Sequence, residues 1–376
     1  MAQVLLREAF ITESEDYLNR QLITYLGNKR SLLDFIGIGI NKACASLNKH
    51  KLSFFDVFSG SGVVSRFFKQ YASLIVSCDM EKYAEIIGKC YLANFSEVDK
   101  QELREYYFRV LKGTPANEFK PGFISELYAP RRDDQIEKGE RVFYTRRNAA
   151  YLDTVRQNIE EVPEHCRHFL LAPLLSEASI HANTSGVFKG FYKDKDNGIG
   201  KFGGKKGDAL SRILGDIELP FPLFSNFECE TEIFRGDSNE VAELAPEVDL
   251  AYLDPPYNQH PYGSNYFMLN LLAEYKRPGE ISQVSGIPAD WNRSAYNKKA
   301  FALSSLKDLA RKIKAKFLLI SFNSEGFIAA SEMKKALGEI GKVEALETKY
   351  NVFRGSRNLR NRKLHVKEFL FLVKKR

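Results

Sequence analysis

Four consecutive residues, Asp254-Pro255-Pro256-Tyr257, carry the strongest chemical signal in the chain. Two adjacent prolines fix φ and remove two backbone N–H donors. What is left around them only accepts hydrogen bonds: backbone carbonyls and the Asp254 carboxylate. Such a pocket wants an –NH2 donor, and adenine N6, cytosine N4 and an amide all offer one. Tyr257 adds a flat face for stacking. An amine conjugated to a base ring is a poor nucleophile, because its lone pair is delocalised. Hydrogen bonds from that amine to Asp254 and a proline carbonyl favour a more pyramidal nitrogen. Alignment with an electrophile then supplies much of the rest.

A second cluster supplies a place for the electrophile. Phe58-Ser59-Gly60-Ser61-Gly62 closes an apolar run and opens a helical pattern. Gly60 and Gly62 let the backbone turn sharply and approach a ligand closely. The third glycine of a dinucleotide loop is absent, since Ser65 stands three residues after Gly62. The loop therefore suits a ligand without pyrophosphate, such as S-adenosylmethionine. Cys78-Asp79-Met80-Glu81 ends the next apolar run, where a carboxylate can accept from both ribose hydroxyls. Asp79 is the first candidate and Glu81 the second.

These residues need elements to hold them. Short, nearly continuous apolar runs at Leu52–Phe58, Leu74–Cys78, Asp249–Leu253, Phe317–Phe322 and Phe369–Val373 read as strands buried on both faces. Helical patterns at Gly62–Tyr71 and Ser305–Lys316 lie between some of them. The alternation predicts an α/β fold with a doubly wound, mostly parallel sheet. It breaks between residues 101 and 229, where charged helical patterns such as Val155–Glu161 and Phe169–Ile180 predict a mostly helical insertion. Sheet signals resume at Ile233. Tyr262-Gly263-Ser264-Asn265 precedes a predicted helix Tyr266–Tyr275, with Ser264 or Asn265 as cap or as part of a cover over the acceptor. Phe322-Asn323-Ser324 ends a strand on the same rim. Lys314 and Lys316 read as a solvated face.

Composition narrows the class. The 376 residues hold 55 Lys and Arg against 48 Asp and Glu, a formal charge of +7 that permits a nucleic-acid partner without demanding one. Five cysteines with no CxxC, and six histidines without HxxxH or HExxH, predict neither a disulfide framework nor a structural metal. Met1–Ser14 lacks a secretory pattern and no run of about 18 apolar residues occurs, so a cytoplasmic protein without a membrane span is expected.

Asp254–Tyr257 and Phe58–Gly62 match the catalytic and cofactor motifs of amino-methyltransferases. Thr24-Tyr25-Leu26-Gly27-Asn28-Lys29-Arg30-Ser31-Leu32-Leu33 resembles the N-terminal motif of Dam-type adenine methyltransferases, with Asn28 in place of a second glycine. The order of the three motifs is that of the α group. The resemblance covers residues 20–100 and 231–376. It implies a Rossmann-like S-adenosylmethionine-dependent fold, with a catalytic domain of residues 1–100 plus 230–376 and a target-recognition insertion of residues 101–229. It assigns Tyr25, Gly27 and Lys29 to the cofactor, beside Phe58, Gly60, Gly62, Asp79 and Asp254. Phe234-Arg235-Gly236-Asp237 resembles the motif that sets an acidic residue, here Asp237, near the cofactor's adenine.

The implied reaction is methylation of adenine N6 in double-stranded DNA, in a bacterial or phage setting and beside a cognate restriction endonuclease. Two basic stretches suit the DNA. Lys189–Gly207 carries six lysines, among them Lys189, Lys193, Lys201, Lys205 and Lys206, with interleaved aromatics and glycines. Asn351–Lys367 carries Arg354, Arg357, Arg360 and Arg362 and no acidic residue. An RNA adenine methyltransferase, a cytosine-N4 enzyme and an idle DNA-binding module are the alternatives. A nicotinamide dehydrogenase is disfavoured by the missing glycine.

Overall fold

Apolar runs become strands of a single seven-stranded sheet in a computed structural model that describes residues 12–20, 22–204, 207, 209–351 and 365–376. The strands are β1 (Leu52–Asp56), β2 (Ala72–Asp79), β3 (Glu230–Arg235), β4 (Val248–Leu253), β5 (Ala315–Asn323), β6 (Gly341–Asn351) and β7 (His365–Lys375). Their order across the sheet is β3-β2-β1-β4-β5-β7-β6. The first five run parallel, and β7 lies antiparallel between β5 and β6. Every residue of β4 is buried, as a central parallel strand with both faces covered requires.

Chain order reverses between β1 and β4, which lie side by side with Asp56 opposite Tyr252. In open α/β sheets this switch point forms the crevice that binds ligands. The glycine turn and Asp254 leave the sheet at the carboxyl ends of these two strands, so topology alone brings the two motifs together.

Helices cover both faces. Helix Leu33–Leu47 packs so closely on the sheet that a Cβ added at Gly39 would sit 2.5 Å from Leu319. That close seat carries the preceding loop, residues 24–32, to the rim of the crevice. Helices Ser238–Leu244, Lys299–Lys312 and Ala330–Gly338 lie on the other face, in one apolar cluster with Phe55, Leu253 and Ile320.

Between residues 101 and 229 the elements among the described residues are helices, joined by long irregular stretches: Lys100–Lys112, Phe123–Tyr128, Arg146–Glu160, Glu164–Ile180 and Leu210–Leu214. Its apolar faces share one cluster with helices Lys82–Tyr91 and Phe267–Glu274, through residues such as Tyr83, Leu170 and Leu272.

Three local expectations change. The helix read at Ser305–Lys316 runs from Lys299 to Lys312, because Ala315 already belongs to β5. Neither Ser264 nor Asn265 caps a long helix: a short turn, Tyr262–Asn265, precedes helix Phe267–Glu274, and Tyr266 stands at its cap. Strand β6 was not anticipated, since its charged residues mask it in sequence. Among the described residues no helix is long and apolar enough to cross a membrane.

Candidate active site

The glycine turn is held by the strand beside it. Gly60 and Gly62 adopt φ of 50° and 71°, a left-handed backbone that glycine tolerates best. The Gly60 N–H donates to Asp79 Oδ2 at 2.8 Å, and the Glu81 N–H donates to Asp79 Oδ1 at 2.9 Å. Asp79 thus braces the turn with both oxygens. Glu81 is buried and accepts from the side-chain amides of Asn270 and Asn292. Burial, and then the charge of Asp79, pushes the Glu81 carboxyl up to about 7. Both acids line the crevice.

Asp254 follows β4 directly. Its Oδ2 pairs with the Lys29 ammonium at 2.9 Å, and Lys29 is buried. Its Oδ1 is buried and has no hydrogen-bond partner. Burial raises the Asp254 carboxyl and Lys29 opposes that rise. Burial also works against the ammonium, yet Asp254, with Tyr257, Tyr252 and Glu368 beyond it, holds Lys29 well above the usual lysine range. The Lys29 ammonium lies 5.7 Å from the centre of the Tyr257 ring, and Phe322 meets that ring edge-on at 5.8 Å. The Tyr257 carbonyl accepts from the Phe327 N–H at 3.0 Å.

Between the two motifs lies a partly open cleft. Tyr25, Phe58, Asp79, Glu81, Asp237, Asp254 and Pro256 line it, as do Tyr262, Asn292 and Tyr296. Tyr25 stacks against both Tyr262 and Tyr266, with ring centres 5.0 and 4.8 Å away, and those two rings lie 6.0 Å from each other. Asp237 caps helix Ser238–Leu244 through one oxygen, which accepts from the Asn239 N–H at 2.8 Å. Gly27, Gly60 and Gly62 shape the backbone around the cleft, and Lys29 stands behind Asp254, so these four do not line it. Asn270, Asn292, Tyr296 and Glu368 were not singled out from sequence. They belong to no contiguous motif and reach the site only through the tertiary fold.

The profile of D12 class N6 adenine-specific DNA methyltransferases matches residues 25–333. The chain belongs to this class. It is 29% identical to the type II methyltransferase M.CviAII of Paramecium bursaria Chlorella virus 1, over 93% of this chain and 98% of that one. It is 27% identical to M.NlaIII of Neisseria lactamica, over 94% and 99% of the two chains. M.FokI of Planomicrobium okeanokoites is 26% identical over 93% of this chain, which spans about half, 52%, of that longer protein. The class decides among the amines that Asp254 could accept: the methyltransferase acts on adenine N6 in DNA.

The basic segments of the methyltransferase are only partly described. Lys189 and Lys193 are exposed, and Lys193 sits over the Phe191 ring at 4.9 Å in a short hairpin bridged at Lys193 and Gly200. Phe191 is anchored on Phe143, with ring centres 5.2 Å apart. Lys201 faces Asp194 at 3.7 Å. The stretch begins beside the site, since the Phe188 N–H donates to the Asn265 carbonyl at 2.7 Å. Lys205, Lys206, Arg354, Arg357, Arg360 and Arg362 lie outside the described residues. Lys314 and Lys316 are not simply solvated: Lys316 pairs with Asp249 at 2.9 Å, and Lys314 donates to the Glu243 carbonyl at 2.8 Å. All five cysteines are free, and ligand atoms of Glu102, His165 and Cys166 lie within 4.8 Å of one another.

Proposed function

We propose that the protein is a site-specific enzyme that methylates adenine N6 in double-stranded DNA from S-adenosylmethionine, after the base rotates out of the duplex, as the modification partner of a cognate restriction endonuclease. The observation that carries this reading is the unpartnered, buried Oδ1 of Asp254 at the edge of an acidic cleft. Four carboxylates line that cleft, and no lysine or arginine stands among its lining residues. This donor set suits a ligand with a cationic centre, ribose hydroxyls and an amine, and it is hostile to pyrophosphate. S-adenosylmethionine, when bound, supplies an activated methyl group.

The residues divide the work. Glu81, with Asp79 beside it, accepts from ribose hydroxyls, and Asp237 accepts from the adenine amine of the cofactor. Tyr25 and Phe58 give apolar faces. Lys29 holds one oxygen of Asp254 and opposes its protonation, which leaves Oδ1 for an N6 proton. The second N6 proton falls to a carbonyl of the Pro255-Pro256 pair. Extruding a base costs a few kcal/mol. Stacking on Tyr257, roughly 1–3 kcal/mol for a base on an aromatic, offsets much of that. The insertion, residues 101–229, is the region we assign to target recognition, with Lys189, Lys193 and Lys201 on phosphates.

The test is methyl transfer from labelled cofactor to mixed-sequence duplex DNA and to RNA, followed by nucleoside analysis. Label in DNA as N6-methyladenine is expected. Label in RNA alone, or at cytosine N4, would contradict the proposal.

A further inference from the structure

Behind the catalytic pair lies a buried carboxylate that the reaction scheme above does not use. Glu368 stands on β7, directly opposite Asn323 of β5, and is 4% exposed. Its Oε2 is buried and has no partner. A carboxylate held this way in the interior is costly unless a nearby charge or donor compensates it. Directly paired residues of antiparallel strands present their side chains on the same face, so Asn323 stands beside the Glu368 carboxylate, and it lowers both that carboxyl and the Tyr257 hydroxyl. The same Asn323 is fixed from its other end, because its Oδ1 accepts from the Glu325 N–H at 3.0 Å. The Lys29 ammonium is raised by Asp254 and, less strongly, by Glu368. The charged and titratable groups facing Glu368 are thus Lys29 from the loop before helix Leu33–Leu47, and Asp254 and Tyr257 after β4. Its neighbours on the flanking strands, Asn323 and Thr348, are neutral.

We infer that Glu368, acting through Asn323 and Lys29, is a positioning residue for methyl transfer: it fixes the Tyr257 ring and draws on the Lys29 ammonium, so that Asp254 keeps one oxygen free for the target amine. The inference rests on the role proposed for Asp254. The ionised form of Glu368 is the competent one, since only a carboxylate both attracts Lys29 and accepts strongly from Asn323. Burial raises this carboxyl to about 7, with Asp254 adding to the rise and Lys29 and Asn323 opposing it. Protonation therefore releases the arrangement as pH falls through neutrality.

Glu368→Gln and Asn323→Ala are to be assayed singly beside Asp254→Ala, at saturating cofactor, from about pH 6 to about pH 9. Binding of S-adenosylhomocysteine at wild-type affinity certifies folding, and Asn323→Ala carries the test should Glu368→Gln fail that criterion. Misplacing a reacting group slightly is costly, so kcat should fall roughly tenfold to a hundredfold in both variants, with DNA KM little changed. The wild-type enzyme should lose kcat below pH of about 7, and Glu368→Gln should lack that acid limb. Wild-type kcat, or a fall in kcat that leaves the pH profile of Glu368→Gln unchanged, would overturn the positioning role while an inactive Asp254→Ala leaves the site reading in place. Activity in Asp254→Ala would remove the site reading itself.

Discussion

At the scale of single residues, the site works by dividing oxygens. Asp254 gives one to Lys29 and keeps one, Asp79 gives both to backbone N–H groups, and Glu81 gives a single oxygen, Oε2, to two side-chain amides. The sequence ranked Asp79 above Glu81 by position after β2. In the structure Asp79 braces the glycine turn and Glu81 stands between two side-chain amides, which spacing along a chain does not reveal. Glu81 titrates at about 7 because burial disfavours its charge. A hydroxyl is best accepted by the carboxylate, so cofactor affinity should rise with pH from 6 to 8. Glu81→Gln should remove that dependence and weaken binding roughly tenfold, the loss of one hydrogen bond to a charged acceptor. Equilibrium titration with S-adenosylhomocysteine reads both effects. A pH dependence that survives the substitution would assign it elsewhere.

At the scale of elements, two glycines do opposite things from those their propensities suggest. Alanine in a helix interior gains about 0.5–1 kcal/mol over glycine. At Gly39 that gain should be lost, because the new methyl would sit 2.5 Å from the fully buried Leu319 side chain. Overpacking costs about 1–3 kcal/mol, so Gly39→Ala should lower stability in a denaturant titration. At Gly60 a Cβ would meet the Tyr25 ring at 2.8 Å on a backbone with φ of 50°. Gly60→Ala should therefore leave the fold intact by circular dichroism and weaken cofactor binding tenfold or more, by pushing Tyr25 from its stack. Strands β1, β2, β4, β5 and β7 were legible because both of their faces are covered and apolar character is unbroken. Strand β6 was not, because it is an edge strand whose Lys and Glu residues blunt it against pairing. The helix ahead of β5 was misplaced for a related reason: Lys312, Lys314 and Lys316 continue the charged pattern across the helix end.

At the scale of the whole molecule, strand order makes the site. Contiguous motifs at Tyr25–Lys29, Phe58–Gly62 and Asp254–Tyr257 were readable, and the reversal between β1 and β4 explains why they converge. Asn270, Asn292 and Glu368 were not readable as parts of one site, since each is brought in by a different element and none belongs to a recognisable local pattern, whereas Asn323 was marked by its place at a strand end on the same rim. DNA engagement belongs to this scale too. Each phosphate contact contributes about 0.9 to the slope of log affinity against log salt. Lys189→Ala combined with Lys193→Ala should flatten that slope by about two contacts' worth without altering methylation chemistry at low salt. An unchanged slope would move the phosphate contacts away from this hairpin. The proposed chemistry turns on the unpartnered oxygen of Asp254. Its most direct test is single-turnover methyl transfer by Asp254→Ala at saturating DNA and cofactor, with cofactor affinity measured in parallel. A loss of about 10²–10³-fold or more in the rate of N6-methyladenine formation is predicted, on protein that still binds S-adenosylhomocysteine. A rate within a few-fold of wild type would contradict the role of Asp254 as acceptor for the target amine.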